Sequence, residues 1–163
     1  MHQFRLLTPD DYPLLLEWLA RPHVREWWDE GEDTLEKVAE NYGPEEDLER
    51  FLLIEETEKG QRPIGFFQYY ILPDRSVGID QFIGEADRID RGVGARAVRT
   101  FIELIARKHS PERIILDPQP ENKRAIRCYE KVGFVHYETK IGEDGRMAYM
   151  MEFRRGESEK VWK

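Results

Sequence analysis

The chain has 163 residues, 40% hydrophobic and 36% charged, and carries 25 Lys and Arg against 33 Asp and Glu, a net charge of −8. This balance argues against disorder, and an acidic surface repels phosphate, which argues against a sequence-independent nucleic-acid partner. No apolar run reaches the ~20 residues of a membrane span. The one cysteine, Cys128, precludes an intrachain disulfide, and the four histidines show no metal-ligand spacing, so no metal site is expected. The start "MHQFRLLTPDD" has no basic segment followed by an apolar one, and a cytoplasmic location is expected. With no repeat or linker, 1–155 reads as a single domain, and 156–163 as a flexible or loosely packed tail.

The first strand is expected at 3–7, "QFRLL". "TPDD" then opens a helix, with Thr8 as N-cap, Pro9 at N1 and Asp11 at N3. Tyr12, Leu15, Leu16 and Leu19 fall at i, i+3, i+4, i+7 and form its apolar face. Leu35, Val38, Ala39 and Tyr42 repeat that spacing after a Thr34 cap. "FLLIEE" and "PIGFFQYYI", joined by the turn "EKGQR", read as an antiparallel pair, and "VGIDQFI" at 77–83 as the next strand. A helix over about 92–108 turns Val93, Ala97, Val98, Phe101 and Ile105 inward. "RIILD" at 113–117 is apolar enough to be a central strand. Asn122 caps a helix running to Lys131, which ends at Gly133. "FVHYETKI", the turn "GEDG" and "RMAYMMEF" form a closing hairpin. The order β-α-α-β-β-β-α-β-α-β-β implies an α/β (α+β layered) fold on a mixed sheet.

The stretch "ADRIDRGVGARAV", 86–98, raises the question of function. Between a strand and a helix, Arg91, Gly92, Val93, Gly94 and Ala95 bring backbone N–H groups around one point, where the helix dipole favours an anion. It is not a Walker loop, since no Lys-Ser or Lys-Thr pair follows. A tight turn that needs two glycines is an equally open reading of this segment alone.

The second motif is "NKRAIRCYEKVGF", 122–134. Together the two segments resemble the GCN5-related N-acetyltransferase (GNAT) family. There the glycine loop holds the pyrophosphate of acetyl-CoA, and an Asn-x-x-Ala-x-x-x-Tyr-x-x-x-Gly-Phe helix flanks the pantetheine. The matching residues here are Asn122, Ala125, Tyr129, Gly133 and Phe134. The resemblance covers nearly the whole chain and implies a mostly antiparallel mixed sheet flanked by helices. It implies acetyl-CoA as co-substrate, with Gln81, Phe82 and Ile83 pairing through their backbone with the pantetheine arm. Arg91, Gly92, Val93, Gly94 and Ala95 would take the pyrophosphate, and Asn122 the pantetheine. Where family loops carry Gln or Arg three residues before the first glycine, this chain has Ile89, and Arg88 or Arg91 would supply the charge. Tyr129 would face the sulfur. A phenol near ~10 can protonate or hydrogen-bond a thiolate whose thiol lies near ~8.5. The bland reading of Tyr129 is a buried helix aromatic, and of Cys128 a small core residue.

Further segments narrow the resemblance: "EWLARPHVREWW" (17–28), "PIGFFQYY" (63–70), "GIDQFI" (78–83) and "DPQPENKRAIRCYEKVGF" (117–134). They are similar to aminoglycoside 6'-N-acetyltransferases, and the first also to a branch that acetylates N-hydroxylysine. In 77–83, alternation sets Gly78, Asp80 and Phe82 on one face. A carboxylate in so apolar a strand needs a reason: it pairs with an interior Arg, caps a loop, or, as the resemblance implies, serves as catalytic base. An amine near ~10.4 and an Asp near ~3.9 differ by about 6.5 pKa units, roughly 9 kcal/mol against transfer. Asp80 would therefore orient the amine and accept its proton rather than deprotonate it outright. Asp117 would hold a substrate ammonium group, or cap the strand end before Pro118. Trp28 and Tyr42 would stack on sugar rings and Gln68 would bond a hydroxyl, although adjacent Trp27 and Trp28 also suit core packing. "WWDEGED" is either a polycation-collecting loop or a solvated face.

The expected partner is a small cationic amine, taken up by a monomer or homodimer. The resistance enzymes carry a longer tryptophan- and acid-rich segment where this chain has only "LPDRS" at 72–76. Other acceptors therefore stand as alternatives: an N-hydroxylysine-type siderophore precursor, a polyamine-like metabolite or a protein N-terminus. A CoA-binding module without turnover is a further alternative, one that would not need Asp80 and Tyr129.

Overall fold

The computed structural model describes residues 2–154; the tail expected over 156–163 lies outside the described residues. The elements run β1 (His2–Leu6), α1 (Tyr12–Leu19), α2 (Pro22–Arg25), α3 (Leu35–Tyr42), β2 (Leu48–Thr57), β3 (Gly60–Ile71), β4 (Val77–Ile83), α4 (Val93–His109), β5 (Arg113–Leu116), α5 (Lys123–Val132), β6 (Val135–Ile141) and β7 (Met147–Arg154). The expected order holds with one addition, the single turn α2. The strands form a seven-stranded sheet in the order β1-β2-β3-β4-β5-β7-β6. The pairs β1–β2, β2–β3, β5–β7 and β6–β7 are antiparallel, and β4–β5 is parallel. This is the mixed, mostly antiparallel sheet the sequence implies.

The described residues form two compact units. One holds the described residues through Tyr70 with Asp80–Arg91, the other Ile71–Ile79 with the described residues from Gly92.

In the first unit the chain enters α1 through a 3-10 turn at Pro9–Asp11, so the α-helix starts later than the Thr8 cap suggests. The Thr8 N–H donates to Asp11 Oδ2 at 2.9 Å, the capping box expected from "TPDD". Thr34 accepts from the Lys37 N–H at 3.2 Å and starts α3. The core joins Leu15, Trp18 and Leu19 of α1, Val24, and Val38 and Tyr42 of α3 to Leu52, Ile54 and Phe66 of the sheet. Trp18, absent from the expected apolar face, is fully buried, whereas Leu35 and Ala39 of α3 are exposed. Between β2 and β3 the register shifts at Leu53/Ile54, next to Pro63. Proline is tolerated inside a sheet at such a bulge, because it has no N–H to give the ladder.

In the second unit, 72–76 closes on itself. The Leu72 N–H donates to the Ser76 carbonyl at 2.9 Å and the Arg75 N–H to the Leu72 carbonyl at 2.8 Å. The helix α4 buries Val93, Ala97, Val98, Phe101, Ile102 and Ile105, the expected face with Ile102 added. On α5, Ile126 and Val132 are buried, and Gly133 at φ +120° ends the helix. The strand β6 is exposed along its whole length.

Candidate active site

In the first unit, Asp80 lies on β4 and Gln68 on β3, where both side chains are half-buried. The Gln68 Nε2 donates to Asp80 Oδ2 at 3.0 Å. The Arg50 Nε of β2, directly opposite Gln68 in register, donates to Gln68 Oε1 at 3.2 Å. Arg50 also bonds the Asn41 carbonyl at 3.0 Å and the Gly43 carbonyl at the end of α3, and its guanidinium stands 5.6 Å from the Tyr42 ring centroid. The Trp28 Nε1 donates to the Tyr42 hydroxyl at 2.9 Å. Four of the five residues expected to handle the acceptor, Trp28, Tyr42, Gln68 and Asp80, are thus joined in one network, and Asp117 is not part of it. Arg50 is its hub, and sequence reasoning missed it. It lies one residue before the stretch read as a strand, "FLLIEE", and nothing in the local sequence marks it.

Tyr42 is 5% exposed and packs edge-on against Phe66 at 5.4 Å, with burial pushing its phenol pKa up. Tyr42 thus contacts both Trp28, through its hydroxyl, and Arg50, through its ring. Trp28 is half-buried and edge-on to Phe66 and Phe82 at 5.8 and 5.2 Å.

Gln81, Phe82 and Ile83 end β4. The Phe82 ring stacks on Phe66 at 5.4 Å and meets Trp18 edge-on at 6.1 Å, which fixes the strand from one side. His23 Nε2 lies 3.1 Å from the Ile83 carbonyl. Beyond the strand, Glu85 accepts from Trp18 Nε1 at 3.1 Å and pairs with Arg21 at 2.9 Å. Arg88, expected as one source of charge for the glycine loop, is instead paired with Glu55 at 2.6 Å.

In the second unit, Gly92 caps α4 at φ +73°, a left-handed conformation that glycine adopts at little cost. The first bond of the helix runs from the Arg96 N–H to the Gly92 carbonyl at 3.3 Å. The N–H groups of Val93, Gly94 and Ala95 therefore project from the helix start, where the dipole favours an anion. This cradle fits a pyrophosphate. A Cβ on Gly94 would stand 3.3 Å from the Cys128 sulfur, so this glycine also lets α4 approach α5. Burial pushes the Cys128 thiol up, against the pull of Lys131 and Arg99, which suits an unreactive packing residue.

Asn122 caps α5, its side-chain oxygen accepting from the Ala125 N–H at 3.3 Å. Its carbonyl end thus organises the helix, which leaves the ligand-donor role to the amide end. Tyr129 is half-buried and edge-on to Phe134 at 6.1 Å. Asp117 follows the last residue of β5 and is open to solvent, yet its carboxyl pKa is raised, first by desolvation and then by Asp144. Among the described residues no group of three or more His, Cys, Asp or Glu could hold a metal ion, and no helix is long and apolar enough to cross a membrane.

Residues 8–140 match the family described as Acetyltransferase (GNAT) domain. The chain belongs to the GNAT family. An aminoglycoside N(6')-acetyltransferase type 1 from Klebsiella pneumoniae is 36% identical to this GNAT chain, over 93% of this chain and 82% of its own length. Among solved structures, AAC(6')-Ib in complex with paromomycin and acetyl-CoA is 34% identical with a TM-score of 0.89, over 99% of this chain and 98% of that one. The same aminoglycoside acetyltransferase with coenzyme A and kanamycin is 34% identical with a TM-score of 0.88, over 100% of both chains. The GNAT fold inferred from two short motifs is therefore the fold of the chain, and its chemistry is acyl transfer from acetyl-CoA.

Proposed function

We propose that this GNAT domain moves the acetyl group of acetyl-CoA to the 6'-amine of an aminoglycoside. The observation that carries the reading is the half-buried Asp80 carboxylate on β4, held at 3.0 Å by Gln68. A cationic amine is drawn to such a group, and a half-buried setting strengthens the attraction over that in water. The names of the relatives reported above support the acceptor, and Asp117, exposed just beyond the end of β5, is available for a second ammonium contact. With acetyl-CoA as co-substrate, the reading also assigns the reaction to the cytoplasm.

Acetyl-CoA supplies an activated acetyl group on a thioester sulfur. Val93, Gly94 and Ala95 hold its pyrophosphate through their N–H groups after Gly92, with Arg91 beside them. Gln81, Phe82 and Ile83 align its pantetheine through backbone bonds, and Asn122 adds a side-chain bond. Asp80 orients the amine and takes up its proton at a carboxylate oxygen as the C–N bond forms. A sugar amine flanked by electron-withdrawing oxygens is less basic than lysine, so the unfavourable free energy of proton transfer, ~9 kcal/mol for a lysine-like amine, falls. Tyr129 gives its hydroxyl proton, or a hydrogen bond, to the departing sulfur.

One observation favours a second reading, a different cationic amine as acceptor. The turn at 72–76 is short and closed by its own hydrogen bonds, where the resemblance implies a longer tryptophan- and acid-rich wall. Thiol release from acetyl-CoA, measured with kanamycin, tobramycin and a panel of simple amines, separates the two. Saturable release with an acetyl adduct on the 6'-amine establishes the first. Release with simple amines alone moves the acceptor, and leaves the acetyl-CoA chemistry as it stands.

A further inference from the structure

We infer that Arg50 is a positioning residue for the reaction, acting on Asp80 through the side-chain amide of Gln68. The inference rests on the role given to Asp80 above. A glutamine amide is a reversible spacer, since either end can face either neighbour. Here both neighbours demand the same orientation. The Arg50 Nε–H can be met only by an acceptor, so Oε1 turns to it at 3.2 Å. Nε2 is then committed to the Asp80 carboxylate at 3.0 Å.

Arg50 is itself well fixed. Its side chain is 9% exposed, and its terminal nitrogens bond the carbonyls of Asn41 and Gly43 and the Glu45 carboxylate. The C-terminal end of α3 thereby clamps the guanidinium, the guanidinium clamps Gln68, and Gln68 sets the plane of the carboxylate. A planar guanidinium with several fixed donors can do this, whereas a lysine ammonium is a single point of charge. Reaction geometry is steep in distance, so releasing the clamp should cost rate even though Arg50 touches no reacting atom.

The test is a double-mutant cycle of Arg50→Met and Gln68→Met, with kcat and KM read against kanamycin and acetyl-CoA. Each single variant should lose about tenfold in kcat with the KM for acetyl-CoA unchanged, and the double variant should lose no more than the worse single one. Losses that multiply would overturn the inference. Arg50→Lys, which keeps the charge and is the variant to use if Arg50→Met fails to fold, should not restore kcat. Full rescue by lysine would also overturn it.

A readout independent of turnover is the pair of Gln68 side-chain amide resonances in a 15N-correlated NMR spectrum. They should shift and exchange faster in Arg50→Met; resonances identical to the wild type refute the positioning role whatever the acceptor. Asp80→Asn separates this from the reading on which it rests. Unchanged turnover in that variant overturns Asp80 as acceptor, and with it the kinetic consequence of Arg50, while the Gln68 resonances still decide whether Arg50 fixes the amide.

Discussion

Gly94 faces Cys128 across the contact of α4 with α5, and a Cβ placed on it would stand 3.3 Å from the sulfur. The glycine loop is thus two things at once, a helix start with projecting N–H groups and a close helix–helix approach. Substituting Gly94 by glutamate therefore confounds ligand loss with helix separation. Ala95, half-buried at the third helical position, is the cleaner probe. A glutamate there interacts favourably with the helix dipole, so stability should hold or rise by about 0.5 kcal/mol. Its charge should repel the pyrophosphate and raise the Kd for acetyl-CoA at least tenfold. Calorimetric titration and a melting curve read both, and unchanged affinity with Ala95→Glu would remove the loop from the cofactor site.

Asp80→Asn removes the charge and keeps the shape, because the new amide oxygen can still accept from Gln68. Turnover should fall by about a hundredfold or more, the range of a lost proton acceptor. Acetyl-CoA binding and melting temperature should stay as they are. Tyr129→Phe should cost less, about tenfold in kcat, since a thiolate near ~8.5 leaves without much help. Near-normal turnover in Asp80→Asn would refute its part in the chemistry.

The ion pair of Glu85 with Arg21 makes stability depend on pH. Desolvation raises the Glu85 pKa, but hydrogen bonds from Arg21 and Trp18 outweigh it, and the net direction is down. A folded-state pKa below the unfolded value means the contribution is present above about 4.3 and is lost as pH falls through the lower folded value. Glu85→Gln should therefore cost about 1–2 kcal/mol at pH 7, allowing for partial exposure of the pair. The difference from wild type should shrink in urea titrations below about pH 4. A difference that stays constant down to pH 3 would mean that packing, not charge, is what the variant loses.

Much of this molecule is legible in the sequence where local chemistry decides. The strand 77–83, the Thr34 and Asn122 caps and the inner face of α4 are set by alternation, capping side chains and helical spacing, and each is found as expected. The single turn α2 is too short to show a period. Leu35 and Ala39 satisfy a helical spacing yet stay exposed, because eight residues of α3 meet the core over little more than one turn. Arg50 illustrates the deeper limit. Counting the β2–β3 register back from Thr57↔Gly60 sets Arg50 opposite Phe67, on the wrong face. The bulge at Leu53/Ile54 adds one residue and brings Gln68 there instead. A one-residue slip reverses every side chain beyond it, and no local signal besides Pro63 announces it. The Asp80 network is therefore readable in Trp28, Tyr42, Gln68 and Asp80, and neither in Arg50 nor in its wiring.

A second close approach, of Gly84 to Trp18, gives the sharpest test of packing. A Cβ on Gly84 would fall 2.2 Å from Trp18 Cδ2 and 2.4 Å from Cε2. The indole cannot retreat. It is fully buried, edge-on to Phe82 and tied through Nε1 to Glu85. The Gly84 backbone is held as well, its N–H donating to the Ile64 carbonyl at 2.8 Å beside the bulge. Gly84→Ala should thus destabilise the fold by about 3 kcal/mol, at the upper end of ordinary overpacking. The cause is space and not backbone conformation, which distinguishes this glycine from Gly92 with its φ of +73°. Trp18→Phe frees part of the volume at its own cost in packing and in the bond to Glu85. If space is the cause, Gly84→Ala should cost at least 1 kcal/mol less in the Trp18→Phe background, a coupling of the size seen between touching residues. Urea denaturation of the four proteins measures it, and strictly additive losses would assign the glycine to some constraint other than the indole.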